Sequence, residues 1–190
     1  ELEPAIKFWT RVYTEVTTDS GYLHDPENLS IVYKSLNLRT QDLENERQRV
    51  QEILLELSTG KRNPLSPEET AILSLWPESV SNQTLRAASN RIRWQRGQSD
   101  AFKDGLERSG AFRSYINDAA ERSGVPPAIA LVPHLESSFN PRARSSASAV
   151  GLWQFTRSTG QRFMRIDSII DERMDPYIAS DAAMNLLTYH

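Results

Sequence analysis

The sequence predicts an all-α protein with a helical N-terminal region over residues 1–97 and a second domain over residues 98–190. Apolar residues recur at helical spacing through most of the chain. Prolines, capping residues and glycines divide that pattern into segments of helix length. A run of alternating β-branched residues nowhere lasts for five positions, so essentially no sheet is expected.

The composition limits the class of protein. With 38% hydrophobic and 25% charged residues, the 190-residue chain can bury a sizeable core. A net charge of −3 provides no overall positive field, so no nucleic-acid partner is expected. The chain has no cysteine, which excludes disulfides and thiolate metal sites. It also has no apolar run of about eighteen residues, so no membrane span is expected.

The N-terminal region is predicted to be a series of helices. The predicted segments are residues 4–18, a helix opened by Asp25-Pro26-Glu27, residues 40–58, a short helix opened by the capping box Ser66-Pro67-Glu68-Glu69, and residues 82–108. Several arginines surround Trp94 in the last segment, which is typical either of a solvated helix surface or of a nucleic-acid face. The acidic balance of the whole chain favours the solvated surface.

The second domain contains the candidate for chemistry, Glu136. A helix is predicted from about residue 127 to residue 138, because Pro126 and Pro127 suit a first helical turn. Ile129 and Val132 share a helix face with Glu136. Burial among such side chains disfavours a charged carboxylate, so Glu136 is expected to keep its proton near neutral pH and act as a general acid. A lone glutamate is more often a solvated surface residue, so its neighbours decide the interpretation.

Those neighbours form two motifs. Glu136-Ser137 is followed by Phe139-Asn140-Pro141, a small-residue loop over 145–150, and Gly151-Leu152-Trp153-Gln154. In this order the residues resemble the lytic transglycosylase domain of the lysozyme superfamily, and the surrounding sequence is most similar to the membrane-bound lytic murein transglycosylase D group. The resemblance runs from about residue 111 to residue 190. It implies a lysozyme-like domain over residues 98–190 that is incomplete at its C-terminus.

The resemblance also implies a reaction with one acid. Glu136 would protonate the glycosidic oxygen between N-acetylmuramic acid and N-acetylglucosamine. As a carboxylate it would then take the proton of the muramic C6 hydroxyl, which closes a 1,6-anhydro ring. Most glycosidases need a second carboxylate. The candidates for that role are Asp167, Asp171, Glu172 and Asp175, and none lies in a motif that demands catalysis.

Five further residues are expected at the substrate: Ser137, Ser146, Gly151, Trp153 and Gln154. Ser137 either lies near the substrate and orients the acid, or satisfies a carbonyl at the helix end. Gln154 offers a donor and an acceptor to an N-acetyl or hydroxyl group. Trp153 suits the cleft or the core equally well.

Two departures from the family pattern bear on these expectations. The family commonly has glycine where Ser148 stands, and glycine suits a left-handed backbone angle. The later Ala-Tyr-Asn-Ala-Gly-like motif, whose tyrosine completes the family's site, does not occur before His190. An extended form is therefore expected to be needed for activity. The chain is interpreted as a processed or excised fragment, because it opens without methionine and ends within a predicted helix.

No cofactor and no metal are expected, because His24, His134 and His190 are too scattered for a zinc signature. The expected partner is a peptidoglycan glycan strand, and the sequence identifies no partner for the N-terminal helices. The resemblance implies periplasmic residence, with an outer-membrane lipid anchor in the full-length protein. Two alternatives stay open: a muramidase that hydrolyses the same bond, and a non-catalytic murein-binding scaffold.

Overall fold

The computed structural model describes residues 2–189. Helices account for 51% of the chain, as the periodicity predicts, and a small three-stranded sheet accompanies them. The expectation of essentially no sheet is therefore wrong. The chain forms two compact units, Glu1–Asp100 and Ala101–His190.

The described residues form nine α-helices, three strands and two short 3-10 helices. The helices are α1 Glu3–Thr14, α2 Leu43–Leu57, α3 Pro67–Leu73, α4 Asn82–Ser89, α5 Ser99–Ser109, α6 Arg113–Ser123, α7 Val132–Ser137, α8 Arg157–Gly160 and α9 Pro176–Thr188. The strands are β1 Ser20–His24, β2 Val32–Asn37 and β3 Arg93–Arg96, and the 3-10 helices are Pro127–Leu131 and Glu172–Met174.

The sheet of the first unit has the strand order β2-β1-β3, and both pairings are antiparallel. β2 replaces the helix that was predicted after Asp25. The capping signal itself was correct, because the Asp25 carboxylate accepts the backbone N–H groups of Glu27 and Asn28. The cap closes a turn, however, and the chain then runs back along β1 with Tyr33 and Leu36 in the core.

β3 interrupts the single helix that was predicted over residues 82–108. α4 ends at Ser89, and Trp94 then pairs across the sheet with Leu23 and packs on the core of this unit. A Cβ atom on Gly97 would lie 2.2 Å from the carbonyl oxygen of Val16, so close backbone packing requires glycine where the chain leaves β3. Strand partners this far away in sequence leave no trace in local periodicity.

Side-chain caps and a glycine set several helix boundaries, and the predicted capping box at Ser66 is confirmed. Asp42 caps α2, the capping box of Ser66 and Glu69 opens α3, and Asp175 caps α9. Gly124 ends α6 in the left-handed conformation.

The second unit is built on α6 and α9, which pack against each other. Its main core cluster contains Ile116, Ala119, Ala120, Val125, Ala130, Phe139, Leu152 and Met184. Phe139 and Leu152 belong to the two motifs, so the core fixes the backbone of both. Among the described residues, no helix is long and apolar enough to cross a membrane.

Candidate active site

The predicted helix before the site is split into two parts. Residues 127–131 form a 3-10 helix and only Val132–Ser137 is α-helical, because Pro133 removes a backbone donor within the segment. α7 ends abruptly: Ser138 has φ 50° and ψ 42°, and Phe139 has φ 56°. Two consecutive left-handed residues with side chains are uncommon, and the bulky Phe139 ring makes the second an outlier.

The backbone strain is confined to the site. Ser138, Phe139, Ser148 and Gln154 are the non-glycine residues with positive φ in the described part of the chain. All of them lie between the end of α7 and the second motif. Such conformations persist only where the surrounding structure determines them, and they cluster at functional sites.

A cleft of about 260 Å³ lies in the second unit and brings the two motifs together. It is lined by Ile129, Val132, Glu136, Trp153, Gln154, Phe155, Thr156, Thr159, Ala183, Leu186 and Leu187. Among these described residues, Glu136 carries the one ionisable side chain. The cleft therefore combines a single carboxylate with a largely apolar wall and a few polar groups, as binding sites for small organic groups usually do.

Glu136 is exposed, so the expectation that its carboxyl group is buried is wrong. α7 is only six residues long, and Glu136 near its end lines the cleft. It makes no hydrogen bond or ion pair with the described residues. The carboxylate is thus free to contact a ligand in the cleft.

His134, two residues earlier, lies on another face of α7 and does not line the cleft. Its ring contacts Phe102 and Phe139 with centroid distances of 5.3 and 4.5 Å. Its buried Nδ1 makes no hydrogen bond with the described residues. Burial in these apolar surroundings lowers the pKa of His134, and Arg113 lowers it further. His134 therefore packs between aromatic side chains and is not a cleft residue.

Ser137 joins the two motifs. Its hydroxyl lies 2.8 Å from the carbonyl oxygen of Leu152, to which it donates, and 3.3 Å from that of Pro133. It does not line the cleft. Because Leu152 lies within the second motif, the Ser137 hydroxyl holds α7 at a set distance from Trp153 and Gln154.

Gly151, the first residue of the second motif, packs tightly against the backbone of Arg173. It is buried with φ 82°, and a Cβ atom there would lie 1.8 Å from the carbonyl oxygen of Arg173. Arg173 is buried and donates to the carbonyl oxygens of Ser148 and Phe155 at 3.2 and 3.1 Å. Ser148 adopts the left-handed angle, with φ 62°, that the family's glycine suggests. Gly151 therefore organises the loop, and the close Arg173 backbone leaves no room for a ligand beside it.

Trp153 and Gln154 both line the cleft. The indole N–H of Trp153 donates to the Ser180 hydroxyl at 2.9 Å, and its ring packs against both core clusters of the unit. Gln154 donates its amide N–H to the Gly151 carbonyl at 2.9 Å, and its Oε1 accepts no hydrogen bond from the described residues. Trp153 is thus a wall of both the cleft and the core.

The remaining predicted residues lie away from the cleft. Ser146 is exposed in the small-residue loop. Asp167 accepts the backbone N–H groups of Ile170 and Ile169 and the Arg165 guanidinium, which together lower its pKa to about 2. The Arg173 guanidinium lowers the pKa of Asp171. These carboxylates hold turns, as does Asp175 at the start of α9, and Glu172 does not line the cleft either.

Several cleft residues were not predicted from the sequence. Thr156 directly precedes the short α8, and Thr159 belongs to it. Ala183, Leu186 and Leu187 come from α9. No role in a cleft was predicted for these α9 residues. One signal was available: the apolar positions of α9 extend around more of the helix than one packed face needs.

Among the described residues, no group of three or more His, Cys, Asp and Glu side chains could hold a metal ion.

A known domain family matches the segment that contains the cleft. Residues 114–190 match the transglycosylase SLT domain. The resemblance that the two motifs indicate is thereby confirmed, and the match supports a peptidoglycan lytic transglycosylase family. The cleft, both motifs and all of the strained residues lie inside this SLT segment.

Curated relatives match part of this chain as well. Membrane-bound lytic murein transglycosylase D of Escherichia coli K12 is 31% identical over 81 residues, which is 42% of this chain and 18% of that protein. A putative tributyltin chloride resistance protein of Alteromonas sp. strain M-1 is 37% identical over 76 residues, 40% of this chain and 37% of that protein. The match therefore spans less than two fifths of the length of either relative.

Proposed function

We propose that the SLT segment is the catalytic core of a peptidoglycan lytic transglycosylase in which Glu136 serves as the acid and then the base. The observation that supports this most directly is the cleft. Glu136 lies in it as the one ionisable side chain among the described lining residues, together with Trp153 and Gln154 of the second motif. The name of the Escherichia coli relative, a lytic murein transglycosylase, agrees with this chemistry.

In the first step Glu136 donates its proton to the glycosidic oxygen between N-acetylmuramic acid and N-acetylglucosamine, and the bond from C1 to that oxygen breaks. In the free protein the Glu136 side chain is exposed to solvent. A glycan strand that covers the apolar wall displaces this water, which disfavours the charged carboxylate and favours the proton donor.

In the second step the muramic C6 hydroxyl attacks C1 of its own sugar, and the Glu136 carboxylate takes the hydroxyl proton. The acid is regenerated, the product carries a 1,6-anhydro ring, and no water is consumed. One carboxyl group suffices because the N-acetyl group of the same sugar can stabilise the positive charge at C1. The turn-holding roles of Asp167, Asp171 and Asp175 agree with a mechanism without a second carboxylate.

The other site residues position the substrate and the acid. Gln154 presents Oε1 to an N-acetyl N–H or a sugar hydroxyl. Trp153 offers an apolar wall to a sugar face. Ser137 acts through the Leu152 carbonyl and keeps the acid and the second motif in register. Gly151 and Ser146 contribute the shape of the loop.

The proposed substrate is a glycan strand of murein, and the proposed compartment is the periplasm with an outer-membrane anchor on the full-length protein. Two rivals remain. A muramidase would use the same acid to add water, and a scaffold would bind murein without cutting it. The exposed, unpartnered carboxylate in the cleft favours the catalytic readings over the scaffold.

Mass spectrometry of digested murein tests the proposal. The 190-residue chain and the full-length gene product are incubated with purified murein, each as wild type, Glu136→Gln and Glu121→Gln. Glu121 is an exposed α6 residue outside the cleft and serves as the matched control. For the full-length gene product we expect anhydro-muropeptides from the wild type and Glu121→Gln, and a loss of about 10²-fold or more in Glu136→Gln, since general acid–base catalysis contributes about that much. From the 190-residue chain we expect little or no product.

The product identity separates the rivals. Reducing muramic ends in place of anhydro ends would establish the muramidase. Murein that pellets with the full-length wild type and releases no product would establish the scaffold. Equal product from Glu136→Gln and the wild type would remove Glu136 from the mechanism.

A further inference from the structure

α5 contacts the turn that follows the acid, although it lies outside the SLT segment. Arg108 donates from Nε and Nη2 to the carbonyl oxygen of Ser138, at 3.0 and 2.8 Å. Ser138 is the left-handed residue that ends α7, two positions after Glu136. The family match begins at residue 114, five residues after α5 ends.

Gly105 lets α5 approach this turn. A Cβ atom at Gly105 would lie 3.0 Å from the Ser138 carbonyl oxygen, 3.1 Å from its carbon and 3.2 Å from its Cα. These distances are tighter than ordinary van der Waals contact, and the neighbour is backbone, which does not rotate away. Gly105 is buried and Arg108 follows one helical turn later on the same face, so both contact the same peptide group.

The contact acts on a backbone that needs support. The left-handed conformations of Ser138 and Phe139 are unfavourable for residues with side chains. Phe139 is held from one side, because its ring is only 1% exposed in the core. Arg108 holds the preceding carbonyl from the other side with two charge-assisted donors in one plane, which fixes the orientation of that carbonyl.

We propose that Arg108 and Gly105 of α5 form a positioning clamp that sets the end of α7 and thereby the direction in which Glu136 enters the cleft. This proposal rests on the proposed function of Glu136. It extends the working site to a helix that the family match does not include. Arg108 does not line the cleft, so it acts on the reaction only through the Ser138 carbonyl.

The clamp predicts a specific kinetic signature. Losing the acid's alignment affects the chemical step more than glycan binding, because the cleft walls from Trp153, Gln154 and α9 stay in place. In the full-length gene product we expect Arg108→Gln to lower kcat by about 10-fold or more with KM changed less than about twofold. Arg108→Lys keeps the charge and one donor and recovers part of kcat. Gly105→Ala lowers kcat in the same direction, because its Cβ displaces the Ser138 carbonyl.

Lys103→Gln is the matched control. Lys103 is exposed on the same helix and carries the same charge, and it does not contact Ser138. Its kcat and KM are expected to equal those of the wild type. An unchanged kcat in Arg108→Gln would overturn the clamp. A matched loss in kcat, substrate binding and thermal midpoint would also overturn it, since that pattern means general unfolding.

A second measurement does not depend on activity. Backbone NMR of the 190-residue chain reports the conformation and amide exchange of Ser138 and Phe139. We expect shifted resonances and faster exchange at these residues in Arg108→Gln, with no change in Lys103→Gln. Unchanged resonances would overturn the clamp. Absence of anhydro products from the wild type, with the NMR changes present, would instead reject the proposed function and leave a clamp without a catalytic role.

Discussion

Gly151 and Gly124 occupy the same backbone region but different surroundings. Gly151 has φ 82° and would place a Cβ atom 1.8 Å from the Arg173 carbonyl oxygen, whereas Gly124 has φ 66° and open space around that position. Alanine at φ above zero costs about 1–2 kcal/mol from strain alone. The steric overlap adds to this cost at Gly151 only.

We therefore predict that Gly124→Ala lowers the free energy of unfolding by about 1–2 kcal/mol. Gly151→Ala should lower it by roughly 3 kcal/mol or more, since it also forces the backbone of the 3-10 helix at Arg173 to move. Urea unfolding followed by circular dichroism measures both. Equal losses in the two variants would contradict the packing explanation.

At the scale of elements, a buried ion pair holds the sheet of the first unit to the end of α4. Asp25 is fully buried after β1, and the Arg91 Nε lies 3.0 and 2.8 Å from its two carboxylate oxygens. The Tyr33 hydroxyl on β2 also contacts this carboxylate, and burial raises the Tyr33 pKa strongly. The pair thus joins the β1–β2 turn to the residues just before β3.

Arg91→Met is expected to destabilise the first unit by about 3–5 kcal/mol, because it leaves a buried carboxylate without its counter-charge. Chemical denaturation of the variant measures the change. Asp25→Asn in the Arg91→Met background should restore part of the loss, since it removes the unpaired charge. No rescue would indicate that Arg91 acts by packing of its side chain.

At the scale of the whole molecule, acid titrates groups in both units. Burial lowers the pKa of His24 in the first unit and of His134 in the second below 6.5. The pKa of Asp167 is lowered from 3.8 to about 2, mainly by backbone N–H groups, and that of Asp171 is lowered mainly by Arg173. In each case the unfolded chain binds protons at a higher pH than the folded chain does, so acid favours unfolding.

We predict that the thermal midpoint falls in two steps as the pH is lowered. The first step begins below about 6.5 as the histidines protonate in the unfolded chain, and the second lies between about 4 and 2 with the two aspartates. Calorimetry across the pH range measures both steps. His134→Phe should reduce the first step, and Asp167→Asn the second. A midpoint that rises on acidification would contradict the assigned directions.

Helix ends with strong side-chain signals were predictable from the residues. The caps at Asp42, Ser66 and Asp175 depend on donors and acceptors within four residues, so the local sequence contains the whole interaction. The two motifs around Glu136 and Gln154 were also identifiable, because the order and spacing of their residues can be read directly from the sequence. The SLT match confirmed that family resemblance.

The Asp25 segment shows why similar signals failed elsewhere. Asp25 makes the predicted cap hydrogen bonds, yet a strand follows. The residues after the turn pair with β1, and the Asp25 carboxylate binds Arg91. A pairing partner that lies 66 residues away for Asp25 has no local signature. The same holds for β3, whose partner strand lies far earlier in the chain.

The order of the motifs and several helix ends were predictable from the local sequence, because those features depend on neighbours along the chain, and the motifs made Glu136 the candidate acid. Three-dimensional packing determined the sheet, the exposure of Glu136 and the contact of Arg108 with Ser138. It also brought Ala183 and Leu187 of α9 to the cleft wall. These features depend on groups that meet only after the chain has folded, and burial is set by the sum of such contacts rather than by any one stretch of residues.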